Sequence, residues 1–376
     1  MIMAGIYIHI PFCAQACFYC DFHFSTSMKS KDRVIGAIKQ DLVKQRDYLG
    51  QGIIETVYFG GGTPSLINTY DIKGIYQIIV ENYRLAQNIE FTIEANPEDV
   101  DLNKVKEWIS IGVNRVSLGV QSLRSEDLTY MNRVHTKEQV FSAIEVLQSS
   151  CLDNINVDLI YGYPLLSDNY WLENLKKIIT FNIPHISCYC LTVEKNTPLA
   201  SLIKKGRFSK LSSDQGRAQF LIAKDLLTKH GYHHYEISNF SKPGHESRHN
   251  QNYWNKTMYL GVGPSAHSFN RVSRQWNTKG NINYCNKIEN NELYYTKEIL
   301  ERKDLINEHI LTNIRTSLGL DTDYLKLQMS QKEWRAFNEE VLILERDNML
   351  KKEKKIYLTE NGMLLADEIT KKLFLL

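Results

Sequence analysis

No apolar stretch in the 376 residues approaches the roughly 18 that a membrane-crossing helix needs, so stable membrane insertion is not expected. Excess charge of one sign is missing too. Lys and Arg number 45 against 43 Asp and Glu, a formal net charge of +2, which excludes a strongly basic nucleic-acid binder and an acidic solvating tail. The start, Met1-Ile2-Met3-Ala4-Gly5, runs straight into Ile6-Tyr7-Ile8-His9-Ile10. It carries no basic segment, long apolar stretch and small-residue cleavage site, so no signal peptide is expected and a cytoplasmic protein is. Internal repeats and low-complexity tracts are also lacking. A disulfide framework is excluded by size and spacing: of seven cysteines, three fall within eight residues, in a chain too large to need staples.

What is present begins with strand–helix alternation. Six β-branched or aromatic runs, Gly5–Ile10, Ile54–Phe59, Ile89–Ala95, Arg115–Val120, Ile155–Tyr161 and His185–Leu191, predict strands. Between them apolar residues recur at helical spacing, as at Val34, Ile35, Ile38 and Leu42 or Trp171, Leu172, Leu175 and Ile178. Repeated βα units predict a parallel sheet, either doubly wound or a barrel. Distinctive residues gather at the carboxyl ends of five successive strands: the cysteine loop, Gly60-Gly61-Gly62-Thr63-Pro64, Glu94 to Pro97, Gln121-Ser122 and Asp158. A barrel uses all those ends, whereas a doubly wound sheet uses one switch point, so a partial (β/α)6 barrel is favoured. We expect that barrel over residues 1–200, a less regular extension over 201–304 with one clear helix around Gln219–Leu227, and a small winged-helix-like domain over 305–376.

Cys13-x-x-x-Cys17-x-x-Cys20 is the feature that carries chemistry. Structural zinc wants four ligands, usually as two separated pairs, and no second pair has suitable spacing; Cys188 and Cys190 are too close and share a strand face. Buried free thiols and a redox pair are the other plain readings. Three thiolates on a short loop suit an iron–sulfur cluster with one iron left open. Cys151, Cys188, Cys190 and Cys285 read as buried thiols.

That spacing, with Tyr19 before the last cysteine, resembles the radical S-adenosylmethionine superfamily. The longer string Tyr7 to Cys13 resembles oxygen-independent coproporphyrinogen III oxidases. The resemblance implies a [4Fe–4S] cluster on Cys13, Cys17 and Cys20 whose open iron chelates S-adenosylmethionine. It further implies S-adenosylmethionine contacts at Tyr7, Tyr19, Gly61, Gly62, Thr63, Glu94, Gln121, Arg133 and Asp158, and places Cys190 along the barrel near the cofactor. Glycines would let backbone approach the ligand, a carboxylate can accept from ribose hydroxyls, and Arg133 can pair with the ligand carboxylate.

Two departures bear on function. The oxidases carry a fourth cysteine two residues after the third, where this sequence has Phe22, and an arm before the first strand, for which the motif's position leaves no room. Meanwhile His249-Asn250-Gln251-Asn252-Tyr253-Trp254 matches the HNxxYW string of the HemW haem chaperone family. A histidine can ligate haem iron while Tyr and Trp stack on the macrocycle; a histidine hydrogen-bonded in a packed loop is the plain alternative. The resemblance therefore implies a chaperone that binds haem, through His249, and delivers it to an acceptor protein, and it admits a cluster-dependent homodimer. The alternative is radical oxidative decarboxylation of coproporphyrinogen III. The run Lys351-Lys352-Glu353-Lys354-Lys355 reads as a solvated turn, and His230, His233 and His234 as surface or core residues without an ordered ligand set.

Overall fold

The computed structural model describes residues 2–375. Its centre is six parallel strands: β1 (Met3–Ile10), β2 (Ile53–Gly61), β3 (Arg84–Ala95), β4 (Arg115–Gln121), β5 (Ile155–Tyr161) and β6 (His185–Cys190). They pair in sequence order, without the reversal that makes a doubly wound switch point. β1, β4 and β5 are buried along nearly their whole length, on both faces, because helices cover one side and side chains fill the other. Helix starts follow local chemistry. Asn68 and Asp101 accept from backbone N–H groups one turn ahead, and Thr136 forms a capping box with Gln139.

Residues 201–304 depart from the expected irregular extension, because all six of their strands join the same sheet. β8 (Asn239–Ser241) pairs antiparallel with β6, and β7 (His233–Glu236) pairs antiparallel with β8. β9 (Met258–Val262) adds parallel to β1, followed by antiparallel β10 (His267–Phe269), β11 (Ser273–Asn277) and β12 (Tyr295–Ile299). The result is an open twelve-stranded sheet with β12 and β7 at its edges. One apolar core runs from Ala4 to Tyr294.

A buried carboxylate ties this second half to the first. Asp41, on the helix Lys31–Lys44, is 0% exposed. Its Oδ2 accepts from Gly263 N (3.3 Å), Asn277 Nδ2 (3.0 Å) and Tyr284 Oη (2.6 Å), and its Oδ1 from Tyr294 Oη (2.7 Å). Burial pushes its pKa up to about 6, against donors that pull it down. The folded value thus lies above the unfolded 3.8, so this group's contribution is fully present below about pH 3.8 and lost as pH rises through 6. We expect the stability margin of the wild type over Asp41→Asn to shrink between pH 4 and 7 by about 2 kcal/mol, read by urea unfolding at both pH values. A margin that grows with pH would contradict the network.

The tail holds a second apolar core, from Ile306 to Leu373. Helices Arg302–Asn313 and Gln331–Arg346 precede a hairpin of β13 (Leu350–Lys352) and β14 (Ile356–Leu358), then helices Glu360–Met363 and Ala366–Leu373. One further helix, Thr322–Gln328, was not expected; its N-cap, Asp321, accepts from Asp323 N and Tyr324 N. The lysine run forms the hairpin turn, with Lys351 paired to Glu353. No helix among the described residues is long and apolar enough to cross a membrane.

Candidate functional site

The cysteine loop leaves β1 at the carboxyl end of the sheet. Its base is closed by Cys13 N donating to Ser25 O (3.1 Å) and Ser25 N donating to Pro11 O (2.9 Å). Its middle is tied to the chain after β4: Phe18 N donates to Met131 O (3.2 Å) and Asn132 Nδ2 to Ala16 O (2.6 Å). All three thiols are free and partly exposed. Burial pushes the Cys20 thiol up to about 12, and Cys17 and Cys13 push it the same way. Cys13 is raised by burial and by Cys17, while the Thr63 hydroxyl pulls it down. Three thiols within electrostatic reach of one another suit a positively charged inorganic core, which holds thiolates by offsetting that repulsion. Arg133 supplies the nearest protein cation, Nη1 to Cys17 Sγ at 3.6 Å. Its Nε is buried without a partner, a donor left over in the site. This donor set fits the expected cluster. Among the described residues, no three His, Cys, Asp or Glu side chains form a group for a single metal ion.

The glycine motif is locked against this loop. Gly62 N donates to Ile10 O (2.9 Å) and Thr63 N to Phe12 O (2.7 Å). A Cβ on Gly62 would lie 2.6 Å from Phe12 O, and one on Gly61, whose φ is +105°, would run into the His9 ring. The glycines are therefore required first by the protein's own backbone and by His9, ahead of any ligand. Gly61 N also donates to Glu94 Oε2 (3.1 Å), and Tyr58 Oη to Glu94 Oε1 (2.8 Å). Burial lifts Glu94 to about 7, with Tyr58 and Gly61 opposing and Asp158 adding to the rise.

Gln121 sits at φ +63° beside a register shift between β4 and β5. A bulge re-aims a side chain at a strand end, and a non-glycine residue at positive φ is a strained conformation of the kind concentrated at functional sites. It meets Arg133 across Gly119, where a Cβ would be 3.1 Å from Gln121 Nε2 and 3.4 Å from Arg133 Nη2. Arg133 Nη2 further donates to Asn96 Oδ1 (2.7 Å) and Gly119 O (2.8 Å). Asn96 also reaches Thr63 Oγ1 at 3.5 Å, so it joins the glycine motif to the arginine. Sequence reading passed over Asn96 as a site residue, although it closes β3. Asp158 accepts from Ser117 Oγ (3.0 Å) and Asn156 Nδ2 (2.8 Å), and burial raises its pKa. Tyr19 lies near Cys17 and Arg133 and is raised by burial. Tyr7 hydrogen-bonds His9 Nδ1 (3.2 Å) and stacks on Tyr58 at 6.0 Å.

His249 lies deeper in the fold, its ring 6.3 Å from that of Tyr7. It lies at the level of Gly5, Thr56 and Glu90, four strand positions toward the amino ends from His9 and Gly60, about 13 Å at 3.3 Å per residue. Its ring is 2% exposed. Nδ1 bonds Thr56 Oγ1 (2.8 Å), Nε2 bonds Tyr253 Oη (3.2 Å), and the ring stacks on Tyr58 at 5.0 Å. Burial pushes its pKa down to about 3. Both nitrogens are thus engaged by protein hydroxyls, Nε2 by that of Tyr253. The helix Arg248–Trp254 starts on Glu90, which accepts from His249 N (2.9 Å) and Arg248 N (3.0 Å).

Two cysteines also differ from expectation. Cys151 is exposed at φ +60°. Cys190 is exposed, its sulfur beside Gly162 and Gly216, on the side covered by the helix Ser213–Lys229 rather than along the cofactor site. Cys188 and Cys285 are buried as expected.

Strand-end chemistry around three loop thiols, on six consecutive parallel strands, is the arrangement of a radical S-adenosylmethionine protein, and the pattern of the Radical SAM superfamily matches residues 7–178. The chain is 30% identical to Heme chaperone HemW of Lactococcus lactis subsp. lactis over 370 residues, 98% of this chain and 97% of that protein. It is 31% identical to Heme chaperone HemW of Bacillus subtilis over 376 residues, 98% of each. The chain belongs to the HemW family of radical SAM proteins. Its fold is that of Escherichia coli coproporphyrinogen III oxidase (HemN), a radical SAM enzyme, with TM-score 0.85 and 22% identity over 99% of this chain and 90% of that one.

Proposed function

We propose that this protein binds haem and passes it to an acceptor protein, and that it carries a [4Fe–4S] cluster and S-adenosylmethionine. One observation carries the reading: relatives named as haem chaperones align over almost their full length and almost all of this chain. Porphyrinogen oxidation rests only on a shared fold, and Phe22, 71% exposed, stands where the oxidase pattern has its fourth cysteine.

In this reading Cys13, Cys17 and Cys20 hold the cluster, and a cluster with an open iron supplies one-electron chemistry to a sulfonium ligand. The surrounding residues bind and orient. Arg133 offsets thiolate charge and takes the ligand carboxylate, with Asn96 and Gly119 O fixing the guanidinium plane. Gln121, on its bulge, adds an amide beside the same place. Glu94 and Asp158 accept from ligand hydroxyls, and Tyr7 and Tyr19 wall the pocket. Glu94, lifted to about 7, is held between charged and neutral near physiological pH, which limits negative charge beside the thiolates. Seven free cysteines suit a reducing, cytoplasmic setting. The reading extends to a homodimer that depends on the cluster.

The test is titration of anaerobically reconstituted protein with haem, followed by visible absorption, alongside incubation with coproporphyrinogen III, S-adenosylmethionine and dithionite. We expect a saturable Soret shift near one haem per chain and no protoporphyrinogen. Absence of saturation, or porphyrinogen turnover, overturns the reading.

A further inference from the structure

A cavity of about 490 Å³ lies against the neighbouring strands β1, β9 and β10, within the size range of small-molecule and cofactor sites. Its wall joins two segments far apart in sequence. Asp21, Phe22 and His23, directly after the last cluster cysteine, form one side, and Tyr253 and Tyr259 form another; His267 and Lys279 stand at the β10 side. Tyr253 is the tyrosine of the HNxxYW string, held from below by His249. The cavity is thus where that string and the substituted cysteine position meet, and Tyr7, a wall of the cofactor pocket in the reading above, borders it as well.

Its histidines differ. His23 Nε2 is bound to Asn281 Oδ1 at 2.9 Å, and its backbone carbonyl accepts from His9 Nε2 at 2.8 Å. His267 is exposed, and its side chain makes no hydrogen bond among the described residues. Its ring lies 6.2 Å from Trp276, at 26°, which gives it a fixed direction without occupying a nitrogen. Burial, Arg274 and Lys279 all hold its pKa below the ordinary histidine value, which leaves a neutral imidazole at pH 7, the form that ligates metals. Phe22 spends a large apolar face on solvent, a cost that a flat hydrophobic ligand would relieve. Lys279 is exposed and forms no ion pair among the described residues, so its ammonium is free for a ligand carboxylate.

We infer that this cavity is the haem seat, with His267 as axial ligand, Phe22 and Tyr253 against the macrocycle and Lys279 toward a propionate. The inference rests on the haem-carrier reading above and deepens it by assigning the ligand to β10 instead of the HNxxYW histidine.

The experiment is haem titration of reconstituted wild type, His267→Ala and His249→Gln, read by Soret and visible bands, with imidazole then added to the His267→Ala complex. His267 is exposed and unbonded, so His267→Ala should melt as wild type does. We expect it to lose the histidine-ligated bands and at least about tenfold in affinity, and imidazole to restore the bands. Restoration separates ligation from a structural role. Wild-type bands and affinity in His267→Ala, failure of imidazole to restore lost bands, or loss of the bands in His249→Gln with their retention in His267→Ala overturns the assignment. Saturable binding by wild type with an unaffected His267→Ala removes this assignment alone; no saturable binding by wild type removes the haem-carrier reading itself.

Discussion

A methyl group added at Gly62 is expected to unseat the cysteine loop and to destabilise the protein by about 3 kcal/mol or more. The new Cβ would lie 2.6 Å from Phe12 O, 2.7 Å from Ile10 O and 2.8 Å from Phe12 N. All three neighbours are backbone atoms, so no rotamer change relieves the overlap. Either the end of β1 or the turn after β2 must move. Movement breaks the bonds from Gly62 N to Ile10 O and from Thr63 N to Phe12 O, in which all the residues but the half-buried Gly62 are buried. Gly36→Ala is the matched control. Gly36 lies inside the helix Lys31–Lys44 with nothing within 4 Å of an added Cβ. There the substitution should stabilise by about 0.5–1 kcal/mol, through helix propensity. Denaturant unfolding of both variants checks the pair. Equal, small effects would mean that the glycine turn is not wedged against β1.

Of the six parallel strands, β1, β4 and β5 were legible because both their faces are buried, so each is rich in apolar residues along nearly its whole length. The strands of residues 233–299 were not. β8 and β10 have three residues each, and β11 reads Ser273-Arg274-Gln275-Trp276-Asn277, whose serine, glutamine and asparagine are buried. Such residues become interior only because partners arrive from far along the chain, as Asp41 does for Asn277 across 236 positions. The cysteine spacing was legible because the ligands are local. Asn96 was not, since its role is to join Thr63 to Arg133, a relation between three strand ends. The partners of the HNxxYW histidine were not legible either: residue type permits His249 to ligate iron, while in the fold Thr56 and Tyr253 hydrogen-bond its two nitrogens.

The second large effect separates the loop's chemistry from its architecture. Changing Cys13, Cys17 and Cys20 together to alanine is expected to lower bound iron in reconstituted protein from about four atoms per chain to none. The fold should stand nonetheless. The thiols are partly exposed, and the loop's base and middle are held by main-chain bonds at Cys13, Ser25 and Phe18 and by Asn132, none of which uses sulfur. Removing the sulfurs breaks the long hydrogen bond from Arg133 to Cys17, but Nη2 of that arginine keeps both of its oxygen partners. Each replacement should therefore change the stability of the cluster-free protein by no more than about 1 kcal/mol, well below the Gly62 effect. Iron analysis and urea unfolding on the same preparations check both halves. Stoichiometric iron in the triple variant would move the cluster off this loop, whereas an unfolded triple variant would mean that the thiols themselves hold the loop in place.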